Sequence, residues 1–200
     1  MITVGIPIFN GANTIKTVLD KLTLQRIPNL PVMVYDNQST DGTIGLCSEL
    51  SGRKYYANKI GKDNCTLNFN FFSGTHEPNH PYQNALRTRK LIAKIATTEY
   101  IFFLDSDVIL PPNSLLTLLE EHKQGQQMFT TIKYEPDCDG RHNHIMFGAS
   151  LWNRQDFLKL PDGYDPAKGC DCKYACDWAY GQGRSAKYHS WLMAYHCKQL

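Results

Sequence analysis

Tyr100-Ile101-Phe102-Phe103-Leu104 is an unbroken apolar run that stops at Asp105-Ser106-Asp107. A strand with one wet face alternates apolar and polar residues, whereas a strand covered on both faces does not. The run therefore predicts a central strand of a parallel sheet with helices packed above and below. Two earlier segments are built alike. Ile2 to Phe9 is apolar and β-branched and ends at Asn10-Gly11, and Val32-Met33-Val34-Tyr35 runs into the polar turn from Asp36 to Thr43. Between them Ile15, Val18, Leu19 and Leu22 recur at helical spacing, with Asn13 or Thr14 able to cap the start. The turn from Asp36 to Thr43 opens another helix, and from Tyr82 a further one carries Ala85, Leu86, Ile92, Ala93 and Ala96 on one side and Arg87, Arg89, Lys90 and Lys94 on the other. Pro111-Pro112 open one more, through Leu115, Leu118 and Leu119. Alternating strands and helices predict an α/β architecture.

The remainder is less regular. Residues 61–84 have no clean period and read as a long irregular connection. Met128–Tyr134 and Ile145–Trp152 read as strands of a smaller, antiparallel or mixed subsheet, and Cys176–Tyr180 as a short helix. With no repeat or linker, one domain over residues 1–200 is expected. The 21 basic and 19 acidic side chains leave a net charge of +2, which excludes the basic footprint of a nucleic-acid binder. No apolar run approaches the roughly 20 residues of a membrane span. Met1 leads into Ile2-Thr3-Val4-Gly5 with no basic or apolar leader pattern, and the seven cysteines are an odd number, so a cytoplasmic protein with mostly reduced thiols is expected.

Ligands of open α/β sheets bind beyond the carboxyl ends of the strands. That rule gathers Phe9-Asn10, Asp36-Asn37 and Asp105-Ser106-Asp107 at one edge. Two aspartates one residue apart are hard oxygen donors suited to Mg²⁺ or Mn²⁺, and such an ion neutralises a diphosphate leaving group. The alternative reading is that the pair merely ends the strand and caps the following helix.

The runs Val4-Gly5-Ile6-Pro7-Ile8-Phe9-Asn10, Val34–Thr43 and Glu99–Asp107, in this order and spacing, resemble the family 2 glycosyltransferases. Phe147-Gly148-Ala149-Ser150, Asp162-Gly163-Tyr164-Asp165 and Cys176-Asp177-Trp178 followed by Gly183 extend the likeness over most of the chain. The resemblance implies the glycosyltransferase A fold: a Rossmann-like, mainly parallel central sheet flanked by helices, with a smaller mixed subsheet. It implies a nucleotide-sugar-binding half near residues 1–107 and an acceptor-side half near 108–200. Pro7 and Phe9 would line the base and ribose pocket, with Asn10 and Ser106 beside them, and Asp36 would hydrogen-bond the base, typically uracil. Arg89 would lie near the donor. Asp105 would face ribose and metal, and Asp107 would ligate Mn²⁺ or Mg²⁺ in a DXD motif. The implied reaction moves a sugar from a UDP-sugar to an acceptor hydroxyl with inversion, the acceptor being a glycan, lipid carrier or protein.

Inversion needs a general base for the attacking hydroxyl. The family usually places an acidic pair there; the matching position here reads Cys176-Asp177, which makes Asp177 the candidate and Asp171 the reserve, although Asp177 could equally cap a helix beginning at Trp178. His189 and His196 are further candidate ligands without a motif. Three other readings stand beside this one. Cys170, Cys172 and Cys176, with Cys138, His142 and His144, hold enough soft donors for zinc or a local disulfide. Asp105-Ser106-Asp107-Val108 after an apolar strand also looks like the nucleophile motif of haloacid-dehalogenase-type phosphatases. A relative that binds sugar nucleotide or glycan without turnover is the non-enzymatic reading.

Overall fold

A computed structural model of the chain describes residues 1–52, 54–55, 66–74, 81–125, 129–135, 147–165, 167, 169–184 and 186–197. The strands are β1 (Ile2–Ile8), β2 (Leu30–Asp36), β3 (Lys54–Tyr55), β4 (Leu67–Ser73), β5 (Tyr100–Leu104), β6 (Val108–Ile109), β7 (Phe129–Glu135), β8 (Ala149–Asn153) and β9 (Ala186–His196). The helices are α1 (Ile15–Leu22), α2 (Thr43–Leu50), α3 (Pro81–Ile95), α4 (Ser114–Gln124), α5 (Arg154–Leu158) and α6 (Asp171–Gly181). All nine strands form one sheet in the order β3-β4-β2-β1-β5-β8-β7-β9-β6. Strands β4, β2, β1 and β5 are mutually parallel. Beyond β5 the direction becomes mixed, with β8 antiparallel to β5 and to β7, and β9 parallel to β7.

The apolar run of β5 behaves as a strand buried on both faces must. Tyr100, Phe102 and Leu104 join β1, β2, α1 and α4 in one core, while Ile101 and Phe103 join Phe147, Trp152 and Phe157 and the apolar sides of α3 and α6 in the other. Phe102 and Phe103 are fully buried, and each such side chain contributes roughly 1.5–3 kcal/mol of hydrophobic stabilisation.

Several elements differ from the sequence expectation. The irregular stretch contains β4, whose residues Leu67 and Phe69 are buried while Asn68 is exposed, an alternation obscured by the asparagines; it pairs in parallel with β2 over its whole length. The short helix expected at Cys176 starts five residues earlier, at Asp171, and its cap is Cys170, so Asp177 lies within the helix and caps nothing. Thr14 takes the cap position of α1, yet its hydroxyl donates to the Gly11 carbonyl (3.3 Å) and caps no helical N–H. Helix α4 starts at Ser114, two residues beyond Pro112. Its Leu115 N–H is satisfied by Gln25 Oε1 (3.0 Å), a buried amide from the far end of α1's turn. Strand β9 had no counterpart in the sequence reading. Its end matters, because Val108 pairs with His196 and the Cys197 N–H donates to the Asp107 carbonyl at 2.7 Å.

Candidate active site

The carboxyl ends of β1, β2 and β5 lie side by side because these strands are neighbours and parallel. Pairing of β1 with β5 ends at Gly5 and Phe103, whereas pairing with β2 continues to Ile8 and Asp36. The Ile8 carbonyl accepts from Asn37 N–H (2.8 Å), on the β2 side. Backbone directions alternate along a strand, so Pro7 presents its missing N–H to the side where β5 has already diverged. Proline costs no ladder bond there, since the β1–β5 pairing has ended at Gly5 and Phe103.

Side chains stitch the loops after β1 and β2 together. Asn10, at φ 52°, accepts from Thr40 N–H through Oδ1 (2.8 Å). Its own N–H donates to Ser39 Oγ (2.8 Å), Gly11 N–H to Thr43 Oγ1 (2.9 Å), and Ala12 N–H to Asp41 Oδ2 (3.2 Å). The Thr43 hydroxyl donates to Asp41 and holds that carboxyl below its ordinary value. A side chain at Gly11 would press on Ile8 (2.6 Å) and approach Ser106 Oγ (3.4 Å), which shows how closely the β1 loop abuts the β5 loop.

Asp36 is 1% exposed. Its Oδ2 accepts from Ser39 N–H (3.1 Å), while Oδ1 is buried with no hydrogen-bond partner, as is Oδ1 of Asn37. An orphaned buried acceptor is costly, and two of them at a strand end form a place where a ligand N–H could be received. Phe9, the next residue beyond β1, stands 59% exposed.

Arg89 organises the β5 side of the site. It projects from α3, is nearly fully buried, and sits with its guanidinium 5.1 Å from the centroid of the Phe147 ring. Nη2 donates to Asp105 Oδ1 (2.8 Å) and Nη1 to Asp171 Oδ2 (2.7 Å). Asp105 is fixed through its backbone as well, its N–H donating to the Gly148 carbonyl (2.8 Å). Burial is the main cause that raises the Asp105 carboxyl above its ordinary value; Arg89 opposes it, and the neighbouring charges of Asp107 and Asp171 add to it. The charge on Asp107 also reaches Cys197, whose thiol is raised by burial and by that carboxylate.

The site residues expected from the sequence, Asp177 excepted, lie at this end of the sheet. Pro7, Phe9, Asn10 and Asp36 lie along the β1–β2 edge, and Asp105, Ser106 and Asp107 on the β5 loop. Arg89 and Asp171 bridge to that loop from behind. Asp177 is not among them: it is exposed on α6 and pairs with Lys173 one turn away. The sequence offered no direct signal for the Arg89–Asp171 contact, and β9's delivery of His196 beside Asp107 follows from strand pairing alone. The side chain of His189, and Cys138, His142 and His144, lie outside the described residues. Cys47, Cys170, Cys172, Cys176 and Cys197 carry free thiols, and among the described residues no group of three His, Cys, Asp or Glu side chains is arranged to enclose a metal.

Comparison with known proteins agrees with this geometry. A model of the family described as Glycosyl transferase family 2 matches residues 3–71 and 82–176. The poly(ribitol-phosphate) beta-glucosyltransferase of Bacillus spizizenii is 30% identical over 134 residues, 66% of this chain and 19% of its own length, so the chain spans about a fifth of that relative. S. aureus TarS 1-349, solved in complex with UDP-GlcNAc, aligns over 100% of the chain and 61% of its own, with 18% identity and a TM-score of 0.66. The mannosyltransferase PcManGT of Pyrobaculum calidifontis, solved with GDP-Man and Mn²⁺, aligns over 98% and 56%, with 19% identity and a TM-score of 0.67. Glucosyl-3-phosphoglycerate synthase of Mycobacterium tuberculosis, solved with Mg²⁺ and UDP, aligns over 98% and 70–71% in its two complexes, with 17% identity and a TM-score of 0.65. These likenesses establish the glycosyltransferase A fold.

Proposed function

The chain belongs to glycosyl transferase family 2, and on that premise we propose that it moves a sugar from a nucleotide-diphospho-sugar, a UDP-sugar, to an acceptor hydroxyl with inversion. The observation that carries the reading is the double grip of Arg89, which draws Asp171 from the start of α6 to Asp105 at the end of β5. A donor held at the strand ends and a base at the helix start then share one cleft. TarS and the mycobacterial synthase were solved with uridine nucleotides, and the base preference is proposed from them.

In this reading the exposed Phe9 ring covers the base or ribose, Asp36 Oδ1 receives a base N–H, and Asn10 and Ser106 line the path to the phosphates. The residues suit a divalent ion. Asp105 and Asp171 share the guanidinium of Arg89, and the Asp105 carboxyl is raised chiefly by burial, with the charges of Asp107 and Asp171 adding to it. Asp105 and Asp107 would hold Mn²⁺ or Mg²⁺, the other positions falling to phosphate oxygens and water, as is usual for Mg²⁺. Once bound, such an ion neutralises the departing nucleoside diphosphate.

Asp171 is the proposed base. It sits in the first turn of α6, where a carboxylate is favoured by the helix dipole, and Arg89 keeps one oxygen, Oδ2, engaged. The acceptor proton would be taken up at this carboxylate as the hydroxyl attacks the anomeric carbon. Asp177, salt-bridged on the outer surface, is assigned no role. The acceptor is proposed only as a hydroxyl of a glycan, lipid carrier, protein or polyol polymer, and the location as cytoplasmic; no helix among the described residues is long and apolar enough to cross a membrane.

The reading is tested by thermal shift with UDP-sugars, GDP-mannose and sugar phosphates, each with and without Mn²⁺. Stabilisation by UDP-sugars that depends on Mn²⁺ supports it. Stabilisation by phosphomonoesters alone would favour the phosphatase reading, and tight UDP-sugar binding without turnover the non-catalytic one.

A further inference from the structure

Asp171 is flanked in sequence and in space by two thiols. Cys170 caps α6, its Sγ accepting from Lys173 N–H at 3.4 Å. Cys172 Sγ accepts from the Phe147 N–H (3.4 Å) and its S–H reaches Asp171 Oδ1 (3.5 Å). The two thiols also engage one another: a hydrogen bond to Cys170 is the largest cause holding the Cys172 thiol well above its ordinary value, followed by burial and by the charge of Asp171. Residues two apart inside a helix point to opposite sides, so this approach requires a break in the helical path. The break is present. Cys170 has extended backbone (φ −82°, ψ 163°), and Gly169 before it, at φ 129°, is anchored by its carbonyl to the Tyr164 hydroxyl (2.8 Å).

The geometry points to Cys170-Asp171-Cys172 as a dithiol modification site that closes to an intramolecular disulfide on contact with a low-molecular-weight disulfide, withdrawing the Cys172 thiol from Asp171. This goes beyond sugar transfer and does not depend on it. Cys170 is the attacking sulfur, being partly exposed and seated at the helix N-terminus. It displaces one thiol from the small disulfide to form a mixed disulfide. Cys172 then attacks Cys170 Sγ and displaces the second. Two protein thiols are oxidised, one small disulfide is reduced to two thiols, and the two protons leave with those thiols. Cys176 is not the partner: it is 1% exposed and packed in the Trp152 core.

The test uses the whole chain, reduced, desalted and treated with glutathione disulfide, then quenched with acid, alkylated and cut with trypsin. Cleavage after Lys168 and Lys173 isolates both thiols in the peptide Gly169–Lys173, while Cys176 falls in the next peptide. The expected product is a Gly169–Lys173 peptide two hydrogens lighter than the reduced form, with complete loss of alkylation at both sulfurs and recovery after dithiothreitol. In Cys172→Ser the reaction should halt as a single glutathione on Cys170. Full alkylation of both thiols after treatment, or a cross-link from either to Cys176, would overturn the proposal.

Discussion

Arg89 and Asp171 lie 82 residues apart in sequence and are joined by an Nη1–Oδ2 hydrogen bond of 2.7 Å, with both side chains less than a tenth exposed. Removing one member of such a pair leaves the other charged in a dry setting. Arg89→Met should cost about 3–5 kcal/mol of stability, read from urea unfolding, because Asp171 and Asp105 lose their common partner. Arg89→Lys should recover only part of it, since an ammonium cannot span both carboxylates as the planar fork does. A change below 1 kcal/mol in Arg89→Met would refute the central role given to this residue.

Asp171 and Asp177 are both aspartates on α6, and the proposed base distinguishes them. Asp171→Asn should lower kcat by about 10²–10⁴ while UDP-sugar affinity stays within a few-fold. Asp177→Asn, which breaks only an exposed pair with Lys173, should leave kcat unaltered. The reverse pattern would return the base to Asp177.

Asp107→Ala should abolish the Mn²⁺-dependent part of donor binding and leave the unfolding midpoint nearly unchanged. Calorimetric titration of UDP with and without Mn²⁺ reads both states of the variant. Full metal dependence in Asp107→Ala would remove this residue from the proposed ligand set.

His122 is 6% exposed, meets the Tyr100 ring edge-on, and has its pKa pushed down from 6.5 to about 4, chiefly by burial and then by the charge of Arg184. The imidazole is therefore neutral when folded and takes its proton more readily when unfolded. Its contribution is complete above pH 6.5 and is lost as the pH falls towards 4, a total of roughly 3 kcal/mol. Unfolding midpoints between pH 7 and 4.5 should show this decline, and His122→Leu should flatten it. A wild-type stability independent of pH over that interval would contradict the buried neutral state.

Gly5 lies where β1, β5 and α3 converge, and a Cβ there would come within 2.8 Å of Ile92 Cγ2 and 3.3 Å of the Phe103 ring. Gly5→Ala should cost about 1–3 kcal/mol by overpacking. Because α3 carries both Ile92 and Arg89, donor affinity should fall with stability. Unchanged melting would show that the helix yields more easily than its packing implies.

The parts of this fold that could be read directly were those in which one segment carries its own evidence. The five residues of β5 are apolar on both faces, and β1 and β2 run out into the turn-forming stretches Asn10-Gly11 and Asn37–Gly42. Strand β4 escaped notice because Asn68 and Asn70 have low strand propensity and their place is set by pairing with β2. The order of the two candidate bases has a related cause: Cys176-Asp177-Trp178 matches a pattern locally, whereas Asp171 is singled out only by its contact with Arg89, which no short window contains. Helix α6 also begins at a cysteine cap, a residue type with little capping signal.

The ties that run from Asn10, Gly11 and Ala12 to Ser39, Thr40, Asp41 and Thr43 make two separate turns into a single mechanical part. Lengthening either turn by one residue would throw the other out of alignment, so an engineer seeking a different nucleotide preference must redesign both together. A graft of one turn alone from another enzyme would arrive with its fasteners facing nothing.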